Sequence, residues 1–547
     1  MNPFGSVNPE TLLLGAAVLT PWLLLPLQIL TRRAVSASLL PLAGVPALLV
    51  ALLVPDGTQL SVTWLPAMIG LDSLGRAFLL PAAVVWVLGG WVASGLPAAR
   101  AQPSAFAILW LLALAGNLLV ILAQELLTFY SGFALMTVAA LGLIVSERTA
   151  AARRAGQVYL AMLLIAEIAL FATAVALTVA TSGDTRFAAV SAVMTAPMLV
   201  LLLLAFGLKG GMPGLHGWLP IAHPVAPAPA SAVLSGVMIK AGILGWLRLV
   251  VPDGAAFAPL LLPALLTLGL IGAGYAALRG LATTDPKVLL GWSSVSQMGL
   301  LTILAGLALS PDSHDAALAA IAVLVMHHGL AKAALFLGVG LLGTTVGVWR
   351  RRVWLGLWVP ALALASAPMT GGLLVKTAID HAAAAAGSGP VVMSLLFLTG
   401  VGSALLMLRL LWLTGTRRVA PRTEHNNVGA AVAWSLLLAS VMVLPWSVMA
   451  GTPVSLAAAS GSAQWLALVP IGAAVLIAHV GQRRWRRLVD ESRWFDALIS
   501  QLARTVTRQL AIAAVRIANH ERRLHSWARI GRLAALMVLA LIAATHL

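Results

Sequence analysis

The sequence contains no cysteine and very little charge, since only 9% of its 547 residues are Asp, Glu, Lys or Arg. The absence of cysteine excludes iron–sulfur clusters, thiolate zinc sites and thiol nucleophiles, so any electron transfer must belong to a partner protein. An ordinary soluble domain is about a quarter charged, and a chain this poor in charge could not cover its own surface. The composition, 61% hydrophobic, therefore excludes a soluble enzyme, a disordered chain and a disulfide-stabilised secreted domain.

Long apolar segments recur along the whole chain at the length of a membrane-spanning helix, about 20 residues. They predict an all-α polytopic membrane protein with about 14–16 transmembrane helices. The predicted segments are 10–30, 35–54, 73–97, 104–123, 125–146, 156–181, 192–211, 227–250, 256–280, 285–308, 316–344, 354–386, 390–414, 427–450, 463–481 and 528–546.

The two kinds of basic residue are sorted by position. Lysine occurs at five positions only, four of them within apolar segments, whereas arginine clusters in the short polar breaks after odd-numbered segments. By the positive-inside rule these breaks face the cytoplasm of a bacterial-type inner membrane, and the N-terminus lies on the non-cytoplasmic side. Membrane topology thus explains the net charge of +17, and we expect no nucleic-acid partner.

Residues 482–527 combine apolar residues at three- and four-residue spacing with an arginine-rich opposite face. This pattern is typical of an amphipathic helix that lies on the cytoplasmic membrane surface. Such a helix can anchor the chain on anionic lipid, or it can act as a lateral brace against neighbouring subunits. A C-terminal transmembrane helix follows at 528–547.

Ionisable side chains within the apolar segments are the candidate functional residues, because a bilayer makes them costly. Desolvation brings the pKa of a lysine toward neutrality, so that a buried lysine can bind and release a proton, which arginine cannot do. Structural lysines are the alternative, but four unrelated ones would be an unusual coincidence. The candidates for a proton relay are Lys209, Lys240, His328, Lys332 and Lys376; secondary candidates are His327, His216, His223 and Asp380.

Two of these lysines lie in sequence segments that predict broken helices. Lys209 is part of AFGLKGGMPGLHGWLP and Lys376 is part of SAPMTGGLLVKTAID, both with glycine pairs and proline. Interrupted helices expose backbone groups at membrane depth and are tolerated where they line a cavity. Two such breaks suggest an inverted structural repeat, although glycine and proline can also simply ease close packing.

The third group of candidates lies in the segment VLVMHHGLAKAALFLG. His328 and Lys332 are four residues apart and share a helix face, so that an imidazole and an amine can exchange a proton. His327 points about a third of a turn away and is expected to pack or to line a cavity. The scattered histidines predict no metal site, and no motif predicts a cofactor or a catalytic group.

Three stretches together resemble a known family. These are HGWLPIAHPVAPAPASAVLSGVMIKAGILGWLRL at 216–249, DPKVLLGWSSVSQMG at 285–299 and the segment around His328 and Lys332. They are similar to the antiporter-like subunits of respiratory complex I, of group 4 hydrogenases and of Mrp-type cation/proton antiporters. The resemblance covers roughly residues 70–410.

The resemblance implies two inverted five-helix repeats, each with a water-filled half-channel, joined by a charged axis at the membrane midplane. It assigns Lys209 and Lys376 to the interrupted helices, Lys240 to the bridge between the halves, and His328 with Lys332 to the central relay. The implied organisation is N-terminal transmembrane helices at 1–100, first repeat at 101–250, second repeat at 251–415, peripheral transmembrane helices at 416–481, the amphipathic helix at 482–527 and the last helix at 528–547.

The sequence departs from the family at one position. The family usually places a glutamate in the fifth segment, where it pairs with the lysine of the first interrupted helix. The aligned segment here is SGFALM, with Ala134 at the position of that glutamate. Without that partner Lys209 loses an attraction that favours its charged form. Either coupling in the first half is altered, or another acid substitutes, for which Glu167 in the sixth segment is the candidate counter-ion.

These observations predict a proton-translocating subunit of a multisubunit membrane complex, without a redox centre of its own. Its expected partners are other membrane subunits, the lipid bilayer, and protons or Na⁺. Two alternatives remain open: a sodium/proton antiporter or inorganic-carbon uptake subunit on the same scaffold, or a structural membrane subunit whose first half-channel is inactive.

Overall fold

A computed structural model describes residues 8–30, 38–62, 67–96, 103–416 and 428–481. In these residues twelve helices are long and apolar enough to cross a membrane, so the predicted all-α, multi-pass membrane architecture is confirmed. The helices are α1 (Pro9–Leu30), α2 (Val45–Leu53), α3 (Ser73–Ser94), α4 (Pro103–Leu122), α5 (Leu126–Val145), α6 (Ala150–Ala180), α7 (Phe187–Ala192), α8 (Ala196–Gly210), α9 (Leu219–Val225), α10 (Ala228–Val233), α11 (Lys240–Leu249), α12 (Ala258–Leu281), α13 (Pro286–Leu307), α14 (His314–Leu342), α15 (Gly347–Gly356), α16 (Trp358–Leu364), α17 (Gly371–Ala385), α18 (Pro390–Thr416), α19 (Val428–Val448), α20 (Pro453–Ala459), α21 (Gly461–Leu466) and α22 (Leu468–Gly481).

The twelve spans account for twelve of the sixteen predicted segments. In the described part of the segment predicted at 35–54, a 3₁₀ turn and α2 form one apolar helix, Leu42–Leu53. It rises about 20 Å, against roughly 30 Å for a bilayer core, so the described residues there are shorter than a full span. The segments predicted at 192–211 and 354–386 are shorter or interrupted helices. The predicted amphipathic helix and the last segment, 482–547, lie outside the described residues.

The chain also forms a β-hairpin that the sequence pattern did not predict. The strands β1 (Thr58–Val62) and β2 (Ala67–Leu71) pair antiparallel, with Leu60 opposite Ile69. Ile69 also bridges to Ala123 just after α4, so the hairpin attaches to one end of the helix bundle. By pairing with each other, the two five-residue strands satisfy backbone hydrogen bonds. Non-helical backbone near a membrane needs such internal hydrogen bonding.

An ion pair at the same end of the bundle joins α3 to α11. Asp72 caps α3 by accepting a hydrogen bond from the Gly75 amide at 2.6 Å, and both of its oxygens accept from the Arg248 guanidinium. Burial alone would raise the pKa of Asp72, but the hydrogen bond and charge of Arg248 outweigh it and hold that pKa below its ordinary value. The ion pair between Asp72 and Arg248 therefore stabilises the fold at neutral pH, and this stabilisation is lost as the pH falls through the lowered pKa of Asp72.

The two predicted helix breaks are present. Helix α8 ends at Gly210, its C-cap Gly211 takes a left-handed backbone (φ 66°), and α9 begins only at Leu219. Between α16 and α17, Ser366 and Met369 hold left-handed φ values of 58° and 60°. Non-glycine residues rarely take such φ values. These values persist where the surrounding structure imposes them, often at functional sites.

The centre of the bundle is formed by α10, α11 and α14. A π-helical segment, Leu234–Met238, joins α10 to α11 within one continuous, fully buried span. Helix α14 crosses beside it with 94% of its span buried, and the backbones of Gly236 and Gly329 meet there, since a Cβ on either would lie 2.8 Å from the carbonyl oxygen of the other. This close approach brings the basic residues of both spans together.

Candidate functional site

The structure brings three of the predicted relay residues into one buried group at the centre of the bundle. Lys240 begins α11 directly after the π segment, and its Nζ donates to the carbonyls of Ser235 and Gly236, both at 2.7 Å. Lys332 of α14 donates to the carbonyl of Leu290 at 2.8 Å. The exposed fraction is 1% for Lys240 and 0% for Lys332.

His328 couples these two lysines. It is fully buried on α14, one turn before Lys332, and it interacts electrostatically with both Lys332 and Lys240. Its two ring nitrogens have no hydrogen-bond partner among the described residues. Because like charges at short range disfavour each other, a proton on one member of the group opposes protonation of the other two.

The first broken helix presents Lys209 to a hydroxyl group. Its Nζ donates to Thr137 Oγ1 of α5 at 2.6 Å and lies 4.8 Å from the centre of the Phe133 ring. Thr137 is held in turn, because its hydroxyl donates to the Phe133 carbonyl at 2.9 Å and its carbonyl accepts from the Tyr159 hydroxyl at 3.3 Å. Lys209 is 2% exposed.

Thr137 lies one helical turn after Ala134, the position at which the family usually has a glutamate. Sequence reasoning missed this residue, although its spacing from Ala134 on the same helix was a usable signal. The predicted counter-ion Glu167 lies on α6, and its buried carboxylate approaches the Thr137 hydroxyl to which Lys209 donates. Glu167 and Lys209 attract each other electrostatically, without the direct ion-pair contact that the family's usual arrangement implies.

The second broken helix carries Lys376 beside a cavity of about 50 Å³ that has polar and apolar lining. Lys376 Nζ contacts Asp380 Oδ2 at 2.6 Å, four residues along α17, and each side chain is about one third exposed (30% and 35%). The cavity is also lined by His327 and by Gln297, whose amide donates to the Ser403 hydroxyl at 3.1 Å. His327 therefore lines this cavity, one of the two roles that the sequence predicted for it.

The two remaining histidines differ in their surroundings. His216 lies in the first helix break, accepts from the Gly214 amide at 3.1 Å and packs against Trp292. His223 of α9 is fully buried, lies 4.4 Å from the Phe336 ring and interacts electrostatically with Lys332, so it borders the central group. Within the described residues, no cluster of three or more His, Asp or Glu side chains could hold a metal ion.

The sequence profile of the family described as NADH:quinone oxidoreductase/Mrp antiporter, transmembrane, matches residues 123–403, slightly more than half of the chain. The chain belongs to this family. The matched region contains every predicted relay residue and Glu167, whereas α1–α4, the hairpin and α19–α22 lie outside it.

Two relatives with curated descriptions support the same assignment. Hydrogenase-4 component B of Escherichia coli K12 is 30% identical over 320 residues, which cover 52% of this chain and 46% of the relative. NADH-quinone oxidoreductase subunit M of the same organism is 36% identical over 179 residues, 31% of this chain and 33% of the relative. The alignments thus span about half or less of these two relatives.

Solved structures share the fold at lower identity. A chain of the Mrp complex from Dietzia sp. DQ12-45-1b superposes with a TM-score of 0.72 and 23% identity, covering 98% of this chain and 63% of that chain. A chain of respiratory complex I from Thermus thermophilus gives a TM-score of 0.68 and 21% identity, covering 84% and 99%. The protein therefore has the fold of the antiporter-like membrane subunits.

Proposed function

We propose that the chain is a proton-translocating subunit of a multisubunit membrane complex. The observation that carries this proposal is the environment of Lys209, Lys240 and Lys332. Each is at most 2% exposed, and each donates to a hydroxyl or to carbonyl groups rather than to a carboxylate. A structural ammonium buried this deeply needs an ion-pair partner, whereas an amine that rests on neutral acceptors can release its proton.

The route runs from Lys209 through Lys240, His328 and Lys332 to Lys376. Its first part lies in the repeat proposed at 101–250 and its second in the repeat at 251–415, each with a broken helix as the fourth of five spans. At about 8 Å and an effective dielectric constant of about 20, one charge changes the energy of its neighbour by about 2 kcal/mol. That energy exceeds one pKa unit, so protonation of one group can drive release from the next.

The partners follow from the same proposal. Hydrogenase-4, NADH-quinone oxidoreductase and Mrp are the assemblies named for the relatives, and we infer that this chain likewise packs against other membrane subunits in the bilayer. Its N-terminus is on the non-cytoplasmic side in this proposal, as the arginine distribution requires. The word antiporter in the family description favours one second candidate function, exchange of Na⁺ for protons.

The test uses the intact complex in proteoliposomes, with an imposed membrane potential and an internal pH-sensitive dye. We expect Lys209→Ala and Lys376→Ala each to lower the proton flux by about 100-fold, within the range for loss of a positioned acid–base group. Retained flux in Lys209→Ala with loss in Lys376→Ala would mean that the first half is structural. Flux in both variants equal to that of the unmodified complex would contradict the proposal. A dependence of flux on Na⁺ would favour the exchange function.

Glu167→Gln tests the counter-ion. The change keeps the shape of the side chain but removes the charge that attracts Lys209, so we expect proton flux to fall by about tenfold, less than the roughly 100-fold loss expected for a group that carries the proton itself. Glu147→Gln is the matched control, because Glu147 is exposed at the end of α5 and should leave flux unchanged. If Glu167→Gln transports as fast as this control, Glu167 is not the counter-ion.

A further inference from the structure

Two serines lie between the two central lysines. Ser235 belongs to the π segment and Ser294 to α13, and their hydroxyl oxygens are 2.7 Å apart. Both side chains are fully buried. Either oxygen can be the donor in this hydrogen bond, because a hydroxyl group both donates and accepts.

Each serine is tied to one of the lysines. The Ser235 carbonyl accepts from Lys240 Nζ at 2.7 Å. The Ser294 hydroxyl contacts the Leu290 carbonyl at 3.0 Å, and this same carbonyl accepts from Lys332 Nζ at 2.8 Å. The hydroxyl pair thus joins the residue whose carbonyl binds Lys240 to the carbonyl that binds Lys332, and each lysine is linked to its serine through a backbone carbonyl group.

The π segment accounts for this arrangement. Its wide turn is closed by the Ile239 amide, which donates to the Leu234 carbonyl five residues back, and Lys240 follows directly. The lysine side chain can then fold back onto the carbonyls of Ser235 and Gly236. Single π turns within α-helices are frequent at functional sites.

We propose that the Ser235–Ser294 hydroxyl pair transfers the proton between Lys240 and Lys332. This inference rests on the proposed function and adds two residues to its central step. The Lys240 ammonium leaves the carbonyl of Ser235 and gives a proton to the hydroxyl oxygen of that residue. The Ser235 hydroxyl proton passes to Ser294, and the Ser294 proton passes to the neutral amine of Lys332.

The step is balanced. One N–H and two O–H bonds break, two O–H bonds and one N–H bond form, and one proton moves from Lys240 to Lys332 with no change of electrons. Both serines end as neutral hydroxyls, and rotation about their C–O bonds resets the pair. Repulsion from the charged Lys332 then opposes protonation of Lys240 until the proton moves on.

Removal of either hydroxyl tests the link in the intact complex, by potential-driven proton flux in proteoliposomes. We expect Ser294→Ala and Ser235→Ala each to lower flux by at least about tenfold, because a positioned proton-transfer group contributes about 100-fold or more. The double variant should be no slower than the slower single variant, because the two groups form one link. Ser294→Thr keeps a hydroxyl and should restore most of the flux.

Ser296→Ala is the matched control on the same helix. Ser296 is 2% exposed and its hydroxyl donates to the Ala273 carbonyl at 3.2 Å, away from both lysines, so its loss should leave flux unchanged. If Ser294→Ala and Ser235→Ala transport like this control while Lys332→Met does not transport, the serine link is wrong and the proposed function stands. If Lys332→Met also transports, the proposed function itself fails.

Assembly of each variant complex is followed on native gels, so that loss of flux is compared at equal amounts of complex. If Ser294→Ala does not assemble, Ser235→Ala decides: flux equal to that of the control contradicts the link, and a tenfold loss supports it. Ser294→Thr that assembles but does not recover flux also contradicts the link, because the hydroxyl is then present without effect.

Discussion

We expect Lys332→Met to reduce potential-driven proton flux through the intact complex to the leak rate of protein-free liposomes. This is the largest loss of transport among the predicted variants. In the proposed route, Lys332 is the group through which the proton leaves the centre toward the second half. Methionine has a similar length and removes a buried charge without leaving a charged partner behind. The Leu290 carbonyl also keeps the Ser294 hydroxyl as a partner. The complex should therefore assemble, and the loss should be one of transport alone.

Lys287→Met is the matched control for this variant. Lys287 lies at the start of α13 and its Nζ donates to the Ala226 carbonyl at 2.7 Å, outside the proposed route. Both variants remove one lysine charge from the same region of the chain, and dye-detected flux is measured at equal amounts of assembled complex. Flux through Lys332→Met at the level of Lys287→Met would show that the central amine is not part of the route.

The sequence predicted the features that depend on composition and spacing along the chain. Glycine pairs and prolines predicted both helix breaks, and apolar length predicted sixteen segments, of which twelve are spans in the described residues. The i, i+4 spacing of Lys376 and Asp380 on one helix face was a further readable signal for their ion pair. These features are local, so neighbouring residues carry the information.

Contacts between distant residues could not be predicted in the same way. Thr137 meets Lys209 across 72 positions, and Ser235 meets Ser294 across 59. A hydroxyl group adds little to hydropathy and returns its hydrogen bond to its own helix in many membrane spans. The β-hairpin was missed because five-residue strands leave no signal distinct from a loop between apolar segments.

A common pattern emerges from the hydroxyl contacts. At Lys209 the family's usual glutamate is replaced by Ala134, and the amine donates to the Thr137 hydroxyl, with Glu167 attracting it from a second helix. At the centre Lys240 and Lys332 donate to backbone carbonyls. Neutral acceptors bind an ammonium more weakly than a carboxylate does, so this arrangement favours proton release over permanent pairing.

Gly272→Ala should destabilise the protein, because α12 closely approaches the first helix break. A Cβ at Gly272 would overlap the Cγ and Cβ atoms of Pro213, whose ring is buried and rigid. Overpacking of this kind costs about 1–3 kcal/mol, and relief by movement of Pro213 would displace the connection that follows Lys209. We therefore expect a lower midpoint of thermal unfolding in detergent together with slower proton flux.

Gly274→Ala on the same helix separates this clash from the general effect of alanine. A Cβ at Gly274 meets no atom of the chain within 4 Å. Alanine is favoured over glycine in a helix by about 1 kcal/mol, so this variant should unfold at the same or a higher temperature. Equal unfolding midpoints for the two variants would mean that Pro213 moves aside freely. Pro213 would then impose no constraint on α12, and other contacts would hold the broken helix in position. One such contact is the hydrogen bond that the Trp218 indole donates to the Leu208 carbonyl at 2.8 Å.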